Sequence, residues 1–391
     1  MTDSTRLVTR PFVMVTLAHL LQGLGFSSML LLPLFLHHLE ASRSEIGMIM
    51  ACASIGGLLL RPAVGWALDR VGRKPVIFAG TLCAATGMAL IILVDSIGPL
   101  IYGIRILIGI GVGAMFTSYF ALASDVVPAA RRTEGIALFG ISGLLPLMVN
   151  PIAASLGVTG PEIRTFIPTV AIVMLVSLVF LALVPEERPQ QVKASERGES
   201  IWSTLLARDL RSVWIATIAF ASLVSVFFVF ATVTAESSGL QFPSKIWFGY
   251  ALAAASVRLF GAKLPDRLGT HNMVAPSIGL YVLSCLVIAQ AESESAFHVA
   301  AVLAGMSHGY TFPVLVSQVV SRVPEHKRGA SLAFYTGLWD ICGLSIAPLA
   351  GTYADAMGDD ALFMTAAAVG TVLLSCWAWL EHRHGASNRA T

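Results

Sequence analysis

The sequence predicts an all-α membrane protein of twelve transmembrane helices in two six-helix pseudo-symmetric bundles, and three observations carry that expectation. Of 391 residues, 56% are hydrophobic and 12% charged, with a mean hydropathy of +0.77, outside the range of soluble globular chains. Apolar runs of about 20 residues, each able to cross a ~30 Å hydrocarbon core, recur along the chain and leave no room for a soluble domain. The second half of the chain also repeats charged and proline landmarks of the first.

Breaking the sequence at its polar clusters places spans 1 to 6 at 11–36, 44–68, 76–96, 99–125, 135–157 and 164–185. Spans 7 to 12 follow at 207–236, 245–265, 273–290, 297–320, 330–351 and 361–381. The runs lack period-two alternation and are too long for barrel strands, so helices are expected throughout. The halves are expected at 1–185 and 207–391, joined by a polar linker, 186–206, rich in Glu, Arg, Gln and Ser.

Shifting the chain by 197 residues aligns Arg61 with Arg258, Asp69 with Asp266, Arg70 with Arg267, Gly72 with Gly269 and Pro151 with Pro348. A slip to 196 aligns Pro128 with Pro324, Arg132 with Arg328 and Ala137 with Ala333. An even number of spans per half makes these parallel repeats, related by an axis along the membrane normal.

Cytoplasmic loops retain Lys and Arg. With the N-terminus inside, nineteen of the 25 basic residues fall in cytoplasmic segments and only Arg43, Arg164 and Lys245 outside. Both termini are therefore expected in the cytoplasm of a cell with an inner or plasma membrane. The net charge of +2 is spread through the loops, so nucleic-acid binding is set aside. Cys52, Cys83, Cys285, Cys342 and Cys376 fall within spans without metal or disulfide spacing, as small packing residues do. The first span is too long for a signal-peptide core and is kept as structure.

Between spans 2 and 3 stands Gly65-Trp66-Ala67-Leu68-Asp69-Arg70-Val71-Gly72-Arg73-Lys74. It matches G-x-x-x-D-R-x-G-R-K, and with twelve spans, a central linker and the echo at Asp266, Arg267 and Gly269 the chain resembles the major facilitator superfamily. Length and pattern are most similar to its bacterial multidrug and metabolite efflux branch. The resemblance implies that span 2 borders span 11 across the halves. A carboxylate at Asp69 would then meet the free N–H groups at the start of span 11, with Asp266 serving span 5 in the same way. Gly65 would allow close helix approach, and Gly72 would make the tight turn. The family pattern pairs Arg73 with the acid closing span 4, Asp125. The matching positions in the second half are Thr270 and Ser321, so both partners are missing together.

A charge near the bilayer centre costs about 2.5–3.5 kcal/mol and needs a cavity or a partner. Arg61 and Arg258 lie about 12 Å inside the boundary, Asp340 about 18 Å, by helical rise; Arg105 lies in the outer part of span 4. Arg61 and Asp340 are expected to pair in at least one state. Burial favours the neutral acid and a nearby arginine favours the carboxylate, so movement of Arg61 would switch proton affinity at Asp340. A permanent structural pair is the alternative. Arg105 matches a family position linked to proton relay, although Ile108 replaces the usual glutamine. Arg258 has no acidic counterpart, since Leu144 occupies the place matching Asp340; it suits either an electronegative substrate group or a snorkelling role.

Further substrate-site candidates are His19, Gln22, Asn150, His308, Tyr310 and Trp339, of which His19, Gln22, Arg105 and His308 lie on spans that line the central cavity in this family. Phe227, Phe228 and Phe230 cannot all face that cavity. Span 5 reads Asn150-Pro151-Ile152-Ala153-Ala154-Ser155 in place of the antiporter G-P-x-x-G-G, and span 1 has no acid. The leading expectation is a secondary active transporter exporting a small organic molecule by alternating access, coupled to protons. Uptake or facilitated passage of a small organic anion is the alternative, and a nontransporting receptor the third. No nucleotide loop, metal cluster or catalytic triad supports an enzyme, a metal or a cofactor. A monomer is sufficient for this architecture.

Overall fold

A computed structural model describes residues 7–128, 131, 135, 138–185, 208–261, 263–324 and 327–387. The proposed linker 186–206 and the repeat landmarks Arg132 and Ala137 lie outside the described residues, as do the side chains of Asp69 and Asp266. Every regular element among the described residues is helical. Among the described residues, ten helices are long and apolar enough to cross a membrane. They are span 1 (Arg10–His38), span 2 (Arg43–Arg70), span 3 (Arg73–Leu93), span 4 (Pro99–Val126), span 6 (Ile163–Ala182) and span 7 (Arg208–Ser237). Span 9 (Thr270–Ile288), span 10 (Glu294–Ser321), span 11 (Arg328–Met357) and span 12 (Asp359–Ser387) complete the set. We call the end where span 1 begins and span 12 finishes the termini face, and the opposite end the far face.

Spans 5 and 8 depart from regular α-helix. Among its described residues, span 5 is helical at 138 and 139, continues through two 3-10 turns, Gly140–Gly143 and Leu145–Met148, and ends in a short α-helix, Val149–Ser155. Two glycines and the prolines Pro146 and Pro151 crowd this stretch, removing N–H donors and weakening helix preference. The 3-10 geometry has a consequence: the Leu144 N–H donates to the Ile141 carbonyl at 2.9 Å rather than to that of Gly140. Span 8 is helical for 15 residues, Ile246–Phe260, about 22 Å of rise, and then breaks at Gly261 before a short turn of helix, Leu264–Leu268. The two broken spans face one another across the halves.

The other seam is continuous. Spans 2 and 11 run antiparallel and pack over much of their length. Small residues allow it: a Cβ on Gly47 would strike the Ala347 carbonyl, one on Gly351 the Arg43 carbonyl, and one on Gly343 would stand 2.7 Å from Ser54 Oγ. These contacts lie in the far-face half. Gly65 corrects the expectation from sequence, because a Cβ there would have nothing within 4 Å, and neighbouring Trp66 is 57% exposed. Among the described residues, the glycine expected to close the seam therefore meets no neighbour.

In lipid, apolar contact gives helices little reason to associate, and close packing at small residues supplies the attraction. Gly47→Ala is therefore expected to cost about 1–3 kcal/mol through overpacking. Gly65→Ala should be neutral or stabilise by up to about 1 kcal/mol through helix preference. Thermal unfolding in detergent, followed by tryptophan fluorescence, checks the contrast; equal effects at both positions would contradict it.

Candidate functional site

Arg61 and Asp340 meet across the seam between spans 2 and 11. Arg61 donates to Asp340 Oδ2 through Nε at 3.2 Å and through Nη2, to Thr336 Oγ1 through Nη1 at 2.6 Å, and to the Thr336 carbonyl through Nη2 at 3.1 Å. The side chains keep 29% and 25% of their surface exposed, so the pair is reachable by water without being loose in it. Thr336 was missed by sequence reasoning; its spacing of four from Asp340 was the available signal.

The helix of span 11 presents a second stripe beside this one. Tyr335 and Trp339, each one residue before Thr336 and Asp340, turn into the second half. Trp339 packs edge-on against Phe220 at 5.1 Å and lies 6.1 Å from His308. His308 is held by Tyr250, whose hydroxyl lies 2.6 Å from its Nδ1, and its ring is near-parallel to Phe228 and Phe312, with centroids at 6.0 and 6.5 Å and a tilt of 24° in each pair. Tyr250, Tyr335 and Phe220 are fully covered, while Phe228, His308, Phe312 and Trp339 keep part of their surface open. Of the three adjacent phenylalanines, Phe227 and Phe230 are core and Phe228 belongs to this wall.

Arg258 lies within electrostatic reach of His308, Tyr250 and Tyr335. Its Nη1 donates to the Gly140 carbonyl at 3.1 Å, at the start of the first 3-10 turn of span 5. The side chain thus points across the halves rather than snorkelling to an interface. It has no ion-pair partner among the described residues, and its Nε is buried without a hydrogen bond.

Other expected site residues stand elsewhere. His19 is buried, hydrogen-bonded from Nδ1 to Ser142 Oγ at 2.7 Å, and wedged among Tyr119, Phe120 and Phe139, the environment of a packing residue. Gln22 is buried one turn on. Asn150 is fully buried and donates to the Leu147 carbonyl at 3.1 Å. Arg105 is 5% exposed and donates to the carbonyls of Ile49 and Met50 at 3.4 and 3.1 Å, filling the contact of spans 2 and 4 rather than joining Asp340. The Tyr310 hydroxyl lies over Gly261, where span 8 breaks, because two residues along a helix turn it away from the His308 face.

At the termini face Arg73 Nε lies 3.0 Å from Asp125 Oδ2. Gly72 caps span 3 at φ 106° and Gly269 caps span 9 at φ 85°, a region that disfavours any side chain. Lys74 Nζ donates to the Val184 carbonyl at 2.7 Å, and Arg70 lies over the Trp66 ring at 5.6 Å. Arg267 is exposed. In the second half a neutral bond replaces the ion pair: Gln318 Nε2 donates to Thr270 Oγ1 at 2.8 Å.

The far face holds a cluster that sequence reasoning did not assemble. Span 2 begins with a capping box, Ser42 Oγ accepting from the Glu45 N–H at 3.2 Å and Glu45 Oε2 from the Ser42 N–H at 2.8 Å. The remaining N–H groups of that first turn, on Arg43 and Ser44, donate to the Asp355 carboxylate of span 11 at 2.8 and 2.9 Å. Arg43 also forms a two-point ion pair with Asp359, at 2.9 and 2.7 Å, and donates to Ser237 Oγ at 2.8 Å. His37 Nδ1 lies 2.7 Å from Glu236 Oε2. The links to Asp355, Asp359, Ser237 and Glu236 join one half to the other, and together they close the far face.

The family model described as Major Facilitator Superfamily matches residues 15–348. The chain belongs to this superfamily. It is 23% identical over 353 residues to the staphylopine export protein of Staphylococcus aureus (strain Mu50), covering 84% of this chain and 85% of that one. It is 24% identical over 326 residues to the gentisate transporter of Corynebacterium glutamicum, covering 79% and 73%. Among solved structures it resembles the nucleoside transporter NupG with a TM-score of 0.77 at 12% identity, over 95% of this chain and 99% of that one. This superfamily member is a multi-pass membrane transporter of small molecules and not an enzyme.

Backbone N–H groups bonded to a carboxylate are the stronger kind of hydrogen bond, so Asp355→Ala is expected to weaken far-face closure by about 1–3 kcal/mol. Distance distributions between spin labels at Glu40 and Gly239 should gain a longer component. An unchanged distribution would remove Asp355 from the closure.

Proposed function

We propose that this transporter exports a small organic molecule in exchange for protons, with Asp340 as the proton site and Arg61 as the group that switches its affinity. The Arg61–Asp340 pair carries the proposal: it ties the two halves together at membrane depth, where an ionised pair is costly unless it has a use. With Asp340 ionised, Arg61 is held to span 11 by the carboxylate and by Thr336. A proton on Asp340 cancels the charge and leaves Arg61 only neutral acceptors, which frees spans 2 and 11 to change register as the halves rock. The proton then leaves when Arg61 returns. One charge crossing 100 mV is worth about 2.3 kcal/mol, comparable to a modest substrate gradient.

The far-face cluster is the latch of the state open to the termini face, with Arg73 and Asp125 bracing the loop that carries Asp69 for the opposite closure. Arg73 and Asp125 are 24% and 51% exposed, so the ion pair contributes little to stability in itself. The basic-residue bias supports placing the termini face in the cytoplasm of a bacterial inner membrane, with the monomer as the working unit. Efflux is supported by the likeness to the staphylopine export protein. A second reading, uptake of a small organic anion, is favoured by Arg258 and by the likeness to the gentisate transporter.

Reconstituted in liposomes, the protein should drive solute counterflow under an imposed pH gradient, and Asp340→Asn should leave only exchange that ignores the gradient. Undiminished proton-driven flux in Asp340→Asn would end the coupling role, and accumulation with protons rather than against them would select uptake.

A further inference from the structure

We propose that Arg258 and the half-open ring wall of Phe228, His308, Phe312 and Trp339 form a binding subsite for a flat, ring-bearing organic anion such as an aromatic carboxylate. The inference deepens the transport reading by naming its substrate class, and it holds for either direction of transport.

A guanidinium inside a membrane protein needs compensation for its lost hydration. Arg61 has Asp340, and Arg105 has two backbone carbonyls. Arg258 has one carbonyl, a buried Nε without an acceptor and no carboxylate among the described residues. The titratable groups that face it, Tyr250 of its own span, His308 of span 10 and Tyr335 of span 11, supply no anion: phenols are neutral at physiological pH, and an imidazole is neutral or cationic. Asp340 is spent on the neighbouring stripe. The missing partner is a planar two-oxygen anion, the group that a guanidinium fork holds most specifically.

The ring wall adds the second requirement. His308 is fixed by Tyr250, and its ring lies within 24° of the planes of Phe228 and Phe312 at centroid distances of 6.0 and 6.5 Å, so three rings of similar orientation are grouped here. The part of Phe228, His308, Phe312 and Trp339 left uncovered offers flat faces to a flat ligand, which prefers offset or edge contact with them. If the Tyr250 hydroxyl donates to His308 Nδ1, the opposite nitrogen carries its hydrogen and gives the anion a further donor. Because Trp339 adjoins Asp340 on span 11, occupation of this subsite bears directly on the helix that carries the proton pair.

The test is equilibrium binding to the purified full chain, read as thermal stabilisation, with 2-naphthoate, its uncharged amide 2-naphthamide, and the saturated acid decahydro-2-naphthoate. The expected result is stabilisation by millimolar 2-naphthoate, tenfold weaker by the saturated acid and absent for the amide. Arg258→Gln should lose the response to 2-naphthoate. Should that variant fail to fold, Phe228→Leu should weaken 2-naphthoate while leaving the saturated acid unchanged. Equal response to acid and amide, no response to 2-naphthoate, or full binding by Arg258→Gln would overturn the proposal. Binding needs no proton gradient, so its failure leaves the coupling role of Asp340 standing, and loss of that role leaves this subsite standing.

Discussion

Spans 2 and 11 cross the molecule side by side in opposite directions, so the N-terminus of each lies beside the C-terminal end of the other. Small residues let the backbones touch in the far half, where Gly47 meets Ala347 and Gly351 meets Arg43. At the far end the free N–H groups of span 2 are taken by Asp355. In the middle Arg61 reaches Asp340. At the termini end the signature loop follows span 2 and is tied to span 4 by Arg73 and Asp125. Three of the contacts between the halves, at the far end, in the middle and through the small residues between them, are arranged along this one seam.

The antiparallel arrangement explains why the same chemistry is available at both ends. A helix start carries unsatisfied donors and partial positive charge, and a carboxylate on the last turns of the neighbour answers both. Asp355 does this at the far face. Asp69 stands at the corresponding place on the opposite end of span 2, one helix length away. Such contacts form or break as units, because a carboxylate either reaches the N–H groups or faces water, and that property suits a two-state device.

The second seam has a different character. Span 5 tightens to 3-10 geometry where glycines and prolines gather, span 8 breaks at Gly261, and irregular backbone at membrane depth is tolerated where it lines a cavity or is buried in protein. Arg258 of span 8 donates to the Gly140 carbonyl, so the irregular stretch of span 5 and the unusual cation in span 8 are in direct contact. Span 11 connects the two seams through adjacent stripes of a single helix: Thr336 and Asp340 toward Arg61, Tyr335 and Trp339 toward the rings around His308.

By itself the sequence determined the membrane class, the helix count within the two broken spans, the two-fold repeat, and the pairings of Arg61 with Asp340 and of Arg73 with Asp125. Hydropathy over about 20 residues, helical rise and repeat offset are local or linear properties, and they survive without knowledge of packing. The far-face cluster was not legible, because Arg43, Asp355, Asp359, His37 and Glu236 read singly as ordinary loop-proximal charges; only the third dimension sets them against one another. Depth along a span was readable and direction around it was not. His19, Arg105 and Tyr310 have suitable depth but turn into packing contacts, while Phe228 turns into the ring wall. Rotation of about 100° per residue, fixed by neighbouring helices, is what the tertiary structure decided.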